Sequence, residues 1–241
     1  MPRFYCPQPL AIGAVVDLPE HVAHHLHVLR TTVGEHLTLF NGEGGEYAAT
    51  LSALDKKRGS AEIKAFSARE AELPYAVKLA QALPEASKMD WIVEKAVELG
   101  AAAIQPLAAR RCVVRLSAER AAKKMTHWQG IVVAASEQSG RNRLAQLAEP
   151  LGFDDWIAQR DLHLRILLTP RADRSLSEWA RHHPPQPLTL ALGPEGGFTE
   201  DEENAARAHG VLTLSMGTRI LRTETAGLGA LAALNAIWGE M

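Results

Sequence analysis

Hydrophobic and polar residues alternate in short runs along the first part of the chain. The runs typical of strands cover residues 3–5, 14–17, 35–40, 46–54 and 60–66. An amphipathic helix is predicted over residues 20–29, with its apolar side chains on one face. The glycine-rich stretch 41–45 indicates a hairpin turn. Several short strands and one helix predict a small β-barrel domain over residues 1–72.

From residue 73 onward, the pattern changes to apolar strands that alternate with helices. The predicted strands cover residues 76–82, 103–107, 164–169, 188–192 and 211–214. The predicted helices cover residues 88–99, 117–125, 127–138, 176–181 and 225–238. This alternation predicts an α/β domain over residues 73–241, with a mostly parallel sheet and helices on both faces. The boundary is placed at Leu73-Pro74, after a charged stretch that suits a linker.

The composition is that of a globular protein that works in a reducing compartment. Hydrophobic residues make up 46% of the 241 positions and charged residues 22%, as in ordinary soluble domains. Cys6 and Cys112 are the two cysteines, which is too few for a disulfide framework and indicates reduced thiols in the cytoplasm. The sequence contains no long apolar run and no signal-peptide core, so no membrane association is expected.

Positive charge is concentrated in one segment. The formal net charge is −2, but residues 110–143 carry eight basic and two acidic side chains, so this segment is +6 and the remainder −8. Such a segment indicates binding to a phosphate backbone, with a solvated helix face as the alternative. Arg30 is a further candidate, because a guanidinium matches phosphate in a bidentate way. The candidate RNA contacts are Arg30, Arg110, Arg111, Arg115, Lys123, Lys124, Arg141 and Arg143.

The stretch 188–226 carries the clearest signs of a binding site. A buried strand ends at Gly193-Pro194-Glu195-Gly196-Gly197-Phe198, where glycines allow a sharp turn and the close approach of a ligand. Thr199 and Glu202 then form a capping box at a helix start. The strand 211–214 leads into a loop with Arg219, Arg222 and Glu224, predicted to lie deep and to need charged partners. Two adjacent strands that end in such loops predict a ligand site at their carboxyl ends; ordinary turns are the alternative.

Two motifs of this stretch occur in a fixed order: Gly-Pro-Glu-Gly-Gly-Phe, and then Met-Gly-Thr-Arg-Ile-Leu-Arg-Thr-Glu-Thr-Ala. Together they resemble the cofactor end of the SPOUT-class methyltransferases. More specifically, they resemble the bacterial 16S ribosomal RNA uracil-N3 methyltransferases, and the resemblance spans the chain. It implies a trefoil knot through which the last segment threads, and an N-terminal PUA-like barrel matched at residues 3–5, 25–30 and 41–47. It also implies S-adenosylmethionine as cofactor, the small ribosomal subunit as partner and a homodimer. Arg3 joins the candidate RNA contacts on this ground.

The resemblance implies that three loops at strand ends hold the cofactor, with apolar side chains against the adenine and backbone groups reading its edge. The expected cofactor-binding residues are Leu168, Thr169, Leu192, Gly193, Pro194, Glu195, Gly196, Gly197, Leu214, Ser215, Met216, Gly217, Ile220, Leu221 and Thr225.

Removal of the uracil N3 proton needs a base, and Glu195 or Glu224 fits this role if burial raises its pKa. Arg141 or Arg222 would stabilise the anionic uracil oxygens, and in a dimer Arg141 would serve the partner chain's site. Each glutamate has a structural alternative. Glu224 would form a buried ion pair with Arg222 or Arg219, and Glu195 would cap the following helix.

His21 and His25 lie four residues apart on a helix, but no third ligand stands nearby, so no metal site is expected. Two other functions remain open. One is a SPOUT-type enzyme that methylates a ribose 2′-hydroxyl on transfer or ribosomal RNA, and the other is a non-catalytic RNA-binding factor for ribosome assembly. The N-terminal barrel together with the Gly-Pro-Glu-Gly-Gly-Phe motif favours the base methyltransferase.

Overall fold

The computed structural model describes residues 1–239 and divides into two compact units. The first unit contains Met1–Glu72 together with Ser136–Leu144. The second contains Leu73–Ala135 together with the chain from Ala145 onward.

The first unit is built on one five-stranded sheet. Its elements are β1 (Arg3–Tyr5), β2 (Val15–Asp17), α1 (Glu20–Val28), β3 (His36–Phe40), β4 (Glu46–Leu54) and β5 (Gly59–Ser67). The strand order is β1-β3-β4-β5-β2, in which β1 and β3 are parallel and the other pairs antiparallel. Alternate residues of the strands, such as Leu37, Leu39 and Ile63, are fully buried against α1 residues Val22 and Leu26. The strands and the helix predicted for this region are therefore present, within about two residues at each end.

The predicted hairpin turn joins β3 to β4, which pair in antiparallel register. Gly42, Gly44 and Gly45 have φ angles of +87°, +110° and +68°, a region that side chains with a Cβ rarely adopt. The side chain of Arg143 lies against the Cα of Gly44, and the ring of Phe66 lies against that of Gly45. Glycine is thus required here both for the turn and for the close packing.

Polar contacts tie the segment 136–144 into the first unit. The backbone N–H of Tyr5 donates to Glu137 Oε1 at 2.9 Å, and Asn142 Nδ2 donates to the carbonyl oxygen of Arg69 at 2.5 Å. Glu137 is partly buried, and burial raises the pKa of its carboxyl above the ordinary value.

The second unit is an α/β domain. Its strands are β6 (Val77–Ala82), β7 (Ala103–Ala108), β8 (Gln146–Leu147), β9 (Leu151–Gly152), β10 (Leu164–Leu168), β11 (Leu188–Leu192) and β12 (Leu212–Leu214). Its helices are α2 (Lys88–Glu98), α3 (Ala118–Ser139, whose last turn belongs to the first unit), α4 (Phe153–Ala158), α5 (Leu176–Arg181), α6 (Glu200–Ala208) and α7 (Thr223–Trp238). The strand order is β12-β10-β11-β6-β7-β8, β9 also pairs with β7, and every pair is parallel.

The core of the second unit surrounds β11, in which all five residues are buried. This matches its uninterrupted apolar sequence, because a central parallel strand is covered on both faces. Helix α7 packs against α2 and α5, and α4 packs against α6. Gly227 of α7 lies against the strands, and a Cβ there would sit 3.2 Å from Leu79 Cδ1. The small residues of this helix therefore allow tight packing inside the domain. The trefoil knot stays a prediction.

Two expectations about the second unit were wrong, and three short elements were not foreseen. The predicted helices 117–125 and 127–138 form the single helix α3, in which Thr126 Oγ1 donates to the carbonyl oxygen of Ala122 and so does not break the helix. Strands β8 and β9 and helix α4 were not predicted, because they are too short for a clear periodicity. Finally, β11 and β12 are not adjacent, since β10 lies between them.

Candidate active site

A cavity of about 200 Å³ lies beyond the carboxyl ends of parallel strands in the second unit. Leu168 at the end of β10 is in register with Leu192 of β11 on one side and with Leu214 of β12 on the other. The loops that follow these three strands therefore meet at one edge of the sheet, where ligands bind in open α/β sheets. All but three of the expected cofactor-binding residues line the cavity, namely Leu168, Thr169, Leu192, Gly193, Pro194, Glu195, Gly196, Gly197, Met216, Gly217, Ile220 and Leu221.

The three exceptions are Leu214, Ser215 and Thr225, whose contact with the cofactor stays a prediction. Leu214 and Ser215 are buried, and their backbone groups join neighbouring segments instead: Leu214 O accepts from Thr169 N, and Ser215 O accepts from the N–H of Leu176. Thr225 is exposed in the first turn of α7. None of the three lines the cavity.

Several lining residues were missed by the sequence analysis. They are Arg171, Phe198, Glu203, Thr223 and Ala226. Pro170 and Arg219, which also line the cavity, lie in two of the three loops predicted to hold the cofactor. Arg171 follows the end of β10 at the same edge as the predicted loops, so its position in the sequence was an available signal. Glu203 was not predictable in this way, because it lies one turn inside α6 and reaches the cavity only through the packing of that helix.

Two glycines leave open space around the cavity, and a third allows a tight loop. Gly197 and Gly217 have φ angles of +65° and +93°, and no atom lies within 4 Å of the position that a Cβ would take. At Gly193, by contrast, a Cβ would lie 2.9 Å from the Cα of Gly197 and the N of Phe198. The loop after β11 therefore folds back on itself at Gly193, and the backbone at Gly197 and Gly217 stays uncovered.

Glu195 is held by an ion pair. Its Oε1 accepts hydrogen bonds from Lys88 Nζ at 2.6 Å and from the backbone N–H of Glu85 at 3.0 Å. Burial opposes the charge of this carboxylate, but these hydrogen bonds outweigh it and the pKa of Glu195 lies below its ordinary value. The pKa is thus shifted in the direction opposite to the one that the general-base hypothesis required.

The start of α6 is capped by Thr199. Its Oγ1 accepts from the N–H of Glu202 at 3.2 Å, and Glu202 Oε2 accepts from the N–H of Thr199 at 2.7 Å. The predicted capping box is confirmed. The alternative role of Glu195 as the cap of this helix was wrong.

The loop after β12 is exposed, and the expectation of deeply placed charges there was wrong. Arg219 and Arg222 are exposed and Ile220 is 86% exposed. Within residues 1–239, Glu224 forms no ion pair with Arg219 or Arg222. Glu224 is half-buried, and its buried Oε2 accepts no hydrogen bond from the residues described.

Arg141 was expected to contact RNA or the target base, but it is a buried structural residue of the first unit. It is 2% exposed, and its Nε and Nη2 donate to the two carboxylate oxygens of Glu72 at 3.0 Å and 2.5 Å. Arg3 is similarly engaged: it pairs with Glu46 at 2.6 Å and its guanidinium lies 4.5 Å from the centre of the Phe40 ring. Neither guanidinium is presented to a phosphate in this structure.

The other candidate RNA contacts lie at the surface. In the first unit, Arg30 and Arg143 are exposed, the latter 3.6 Å from Glu70. The second unit presents Arg110, Arg111, Arg115, Lys123 and the half-buried Lys124.

Two of these surface residues touch segments next to the cavity. Arg111 Nη1 donates to the carbonyl oxygen of Gly196 at 2.7 Å, beside the cavity loop. Arg110 pairs with Asp201 at 3.0 Å, so an acid from outside the basic segment offsets part of its charge.

Neither a metal site nor a membrane-spanning helix is found in the part of the chain that the structure describes. No group of three or more His, Cys, Asp or Glu residues within 1–239 is arranged to hold a metal ion. Over the same residues, no helix combines the length and the apolar character needed to cross a bilayer.

Comparison with known proteins identifies the family. The profile of the RNA methyltransferase domain matches residues 71–235, and that of the RNA methyltransferase PUA domain matches residues 18–64. A ribosomal RNA small subunit methyltransferase E from Synechocystis is 36% identical over 231 residues, which cover 94% of this chain and 74% of the relative. The chain belongs to the ribosomal RNA small subunit methyltransferase E family. The predicted family is thereby confirmed.

Solved structures of similar proteins agree with this assignment. The methyltransferase E of Neisseria gonorrhoeae, bound to S-adenosyl methionine, superposes with a TM-score of 0.92 at 39% identity, over 99% of this chain and 98% of that one. A putative methyltransferase of Legionella pneumophila, in complex with the bound cofactor SAM, gives 0.91 at 38% identity, over 97% and 96%. The predicted fold, a mostly parallel α/β sheet preceded by a PUA-like domain, is confirmed for this member of the methyltransferase E family.

Proposed function

We propose that this chain transfers a methyl group from S-adenosylmethionine to the ribosomal RNA of the small subunit, at N3 of a uracil base. The observation that carries the proposal is the open, glycine-lined cavity beyond the ends of β10 and β11 in a member of this family. Two similar proteins were crystallised with this cofactor. The N-terminal PUA-like domain supports an RNA substrate.

The residues of the cavity fit the proposed methyl donor. Leu168, Leu192 and Met216 supply apolar surface for a flat adenine, and loop backbone groups supply donors and acceptors for its edge. Gly197 and Gly217 line the cavity without side chains, so a ligand can approach their backbone closely. When bound, the donor supplies a methyl group on a cationic sulfonium. Much of the enzyme's task is then to align the uracil nitrogen with that methyl group.

The uracil N3 carries a proton that must leave, and we propose Glu224 as the base. Its buried Oε2 has no hydrogen-bond donor among residues 1–239, so it keeps its capacity to accept a proton. Glu195 suits this role poorly, because Lys88 already binds it and its pKa is lowered. Arg222, exposed at the start of α7, is proposed to stabilise the negative charge that develops on the uracil oxygens.

RNA binding is proposed to use the exposed basic residues of each unit. The proposed contacts are Arg30 and Arg143 in the first unit and Arg110, Arg111, Arg115, Lys123 and Lys124 in the second. Arg111 is the basic residue tied directly to the cavity loop, through Gly196. The protein is also proposed to form a homodimer, which the family resemblance supports. It is proposed to act in the cytoplasm, which the ribosomal substrate supports.

The proposal is tested by incubating the protein with donor labelled in its methyl group and with small ribosomal subunits that lack the modification. Large subunits and naked 16S RNA serve as comparison substrates. Label on N3 of a single uridine of small-subunit RNA is the expected result. Label on a ribose would overturn the base assignment. If no label is transferred and calorimetry shows no binding of the donor, the protein would instead be an RNA-binding assembly factor.

The role of Arg222 is tested by Arg222→Ala. This variant is expected to lose turnover with an unchanged circular dichroism spectrum, because the side chain is exposed and carries no core contact. Neither Arg222 nor Arg181, an exposed arginine of α5, lines the cavity, so Arg181→Ala is the matched control and should retain full activity. Full activity of both variants would show that Arg222 has no role in the reaction.

A further inference from the structure

The Arg171–Glu203 ion pair forms part of the wall of the cavity. Glu203 is 1% exposed, and its carboxylate accepts hydrogen bonds from Arg171 Nε at 3.1 Å and from Arg171 Nη2. The same Nη2 donates to the carbonyl oxygen of Phe198 at 3.0 Å. These three hydrogen bonds fix the guanidinium group relative to the loop after β11.

Arg171 retains unused donors. A guanidinium group carries five N–H bonds, and the contacts with Glu203 and Phe198 use three of them. Nη1 makes no hydrogen bond to any of residues 1–239, and the side chain is 50% exposed. The hydrogen bond with Glu203 raises the pKa of Arg171 above its ordinary value, so the group stays cationic.

Both acidic residues of the cavity lining are already paired with cations. Glu203 also accepts from Arg207 Nη2 at 3.4 Å, so one carboxylate faces two guanidinium groups and one positive charge remains. The other acidic residue of the lining, Glu195, is neutralised by Lys88. Arg219, which also lines the cavity, forms no ion pair with residues 1–239. Because both carboxylates of the lining are already paired, the remaining guanidinium donors of Arg171 and Arg219 can bind a ligand that carries an anionic group.

We infer that Arg171 binds the α-carboxylate of the amino-acid tail of the methyl donor; this inference rests on the proposed function. The adenine and ribose of that donor are uncharged and its sulfonium and ammonium groups are cationic, which leaves the carboxylate as its one anion. A guanidinium group matches a carboxylate in charge and in planar geometry. Arg171 is held in place before the ligand arrives, so little side-chain entropy is lost on binding. Arg219 lacks this restraint, because it lies on an exposed loop.

The test compares ligands with and without the tail, by isothermal titration calorimetry on the full chain. S-adenosylhomocysteine and 5′-methylthioadenosine are both neutral thioethers of adenosine, and the second lacks the amino-acid tail. Arg171→Ala should weaken S-adenosylhomocysteine and S-adenosylmethionine roughly 10- to 100-fold, the range for hydrogen bonds to a charged group. The affinity for 5′-methylthioadenosine should change by less than about twofold, since this ligand has no carboxylate for Arg171 to bind.

Two further variants guard against a purely structural effect. Arg171→Lys keeps a cation beside Glu203 but loses the two-pronged guanidinium group. It should lose affinity for the ligands with the amino-acid tail only, and it provides the test should the alanine variant not fold. Arg207 is the other partner of Glu203 and does not line the cavity. The Arg207→Ala variant should therefore bind all three ligands as the wild type does. Equal weakening of both thioethers, or unchanged affinity for S-adenosylhomocysteine, would overturn the role of Arg171 while the proposed function stands. A wild-type protein that binds none of the three ligands would instead overturn the proposed function, and this inference with it.

Discussion

Thr223 Oγ1 donates a hydrogen bond of 2.5 Å to the carbonyl oxygen of Gly193. The same hydroxyl accepts from Gln81 Nε2 at 2.9 Å. Gln81 is fully buried and Thr223 is 7% exposed, so water does not compete for these bonds. One hydroxyl thus joins the end of β6, the loop after β11 and the start of α7 beside the cavity.

Replacement of Thr223 by valine keeps the shape of the side chain and removes this link. Two buried polar groups then lose a partner, which costs about 1–3 kcal/mol each at most. In a domain of this size the melting temperature should fall by roughly 2–4 °C for each kcal/mol lost, and the affinity for S-adenosylmethionine should fall with it. Thr223→Ser keeps the hydroxyl and is the control, measured by calorimetry and by thermal unfolding. A valine variant as stable as the serine variant would show that the link contributes nothing.

Gly193 is expected to tolerate no side chain. In Gly193→Ala, the Cβ would lie 2.9 Å from backbone atoms of Gly197 and Phe198, so the loop must shift and the cavity with it. Affinity for S-adenosylmethionine should fall at least tenfold, about 1.4 kcal/mol or more. The matched control is Gly130→Ala on α3, where no atom lies near the new Cβ. That change should stabilise the helix by about 0.5–1 kcal/mol and leave binding unchanged.

The Lys88–Glu195 pair predicts a pH dependence of stability. The pKa of Glu195 is lower in the folded protein than its ordinary value of 4.5, so the pair stabilises the fold above that pH. This contribution is lost as the pH falls through the lowered pKa, because the carboxylate then takes up a proton. Urea unfolding should therefore show Lys88→Met less stable than wild type at neutral pH, and the difference should shrink below pH 4.5. Lys123→Met removes an ion pair between two exposed side chains and should have little effect at any pH. A Lys88→Met deficit that stays constant down to acid pH would contradict this account.

Arg141 is expected to matter for stability. Arg141→Met leaves the carboxylate of Glu72 without the guanidinium that now binds both its oxygens, and breaking a buried pair costs about 3–5 kcal/mol. Arg143→Met, two residues on and exposed, should cost less than about 0.5 kcal/mol. Urea unfolding of both variants, with Glu72→Gln and the double variant for a thermodynamic cycle, measures the coupling. Similar stabilities of Arg141→Met and Arg143→Met would contradict the structural role of the Arg141–Glu72 pair.

Features set by neighbouring residues were predicted well. The uninterrupted apolar run of β11 indicated a buried strand, and the Thr199–Glu202 box marked the start of α6 to the residue. The hairpin at 41–45 followed from its glycines. In each case the decisive contacts lie within a few positions along the chain, so the sequence carries the information directly.

Features that depend on distant residues were not predictable. Whether Arg141 meets RNA or a carboxylate depends on Glu72, and the surroundings of Glu195 depend on Lys88. The exposure of Arg219 and Arg222 depends on how the loop after β12 packs in the folded unit, which no local pattern encodes.

By itself, the sequence determined the order of the longer strands and most helices, because turn, capping and strand preferences act locally, and its motifs indicated the family and the loops beside the cavity. The tertiary structure decided that β10 separates β11 from β12, that residues 136–144 pack with the first unit, and that Arg171 and Glu203 line the cavity. The physical reason is that burial and charge pairing depend on which segments meet in space, and residues far apart along the chain decide this together.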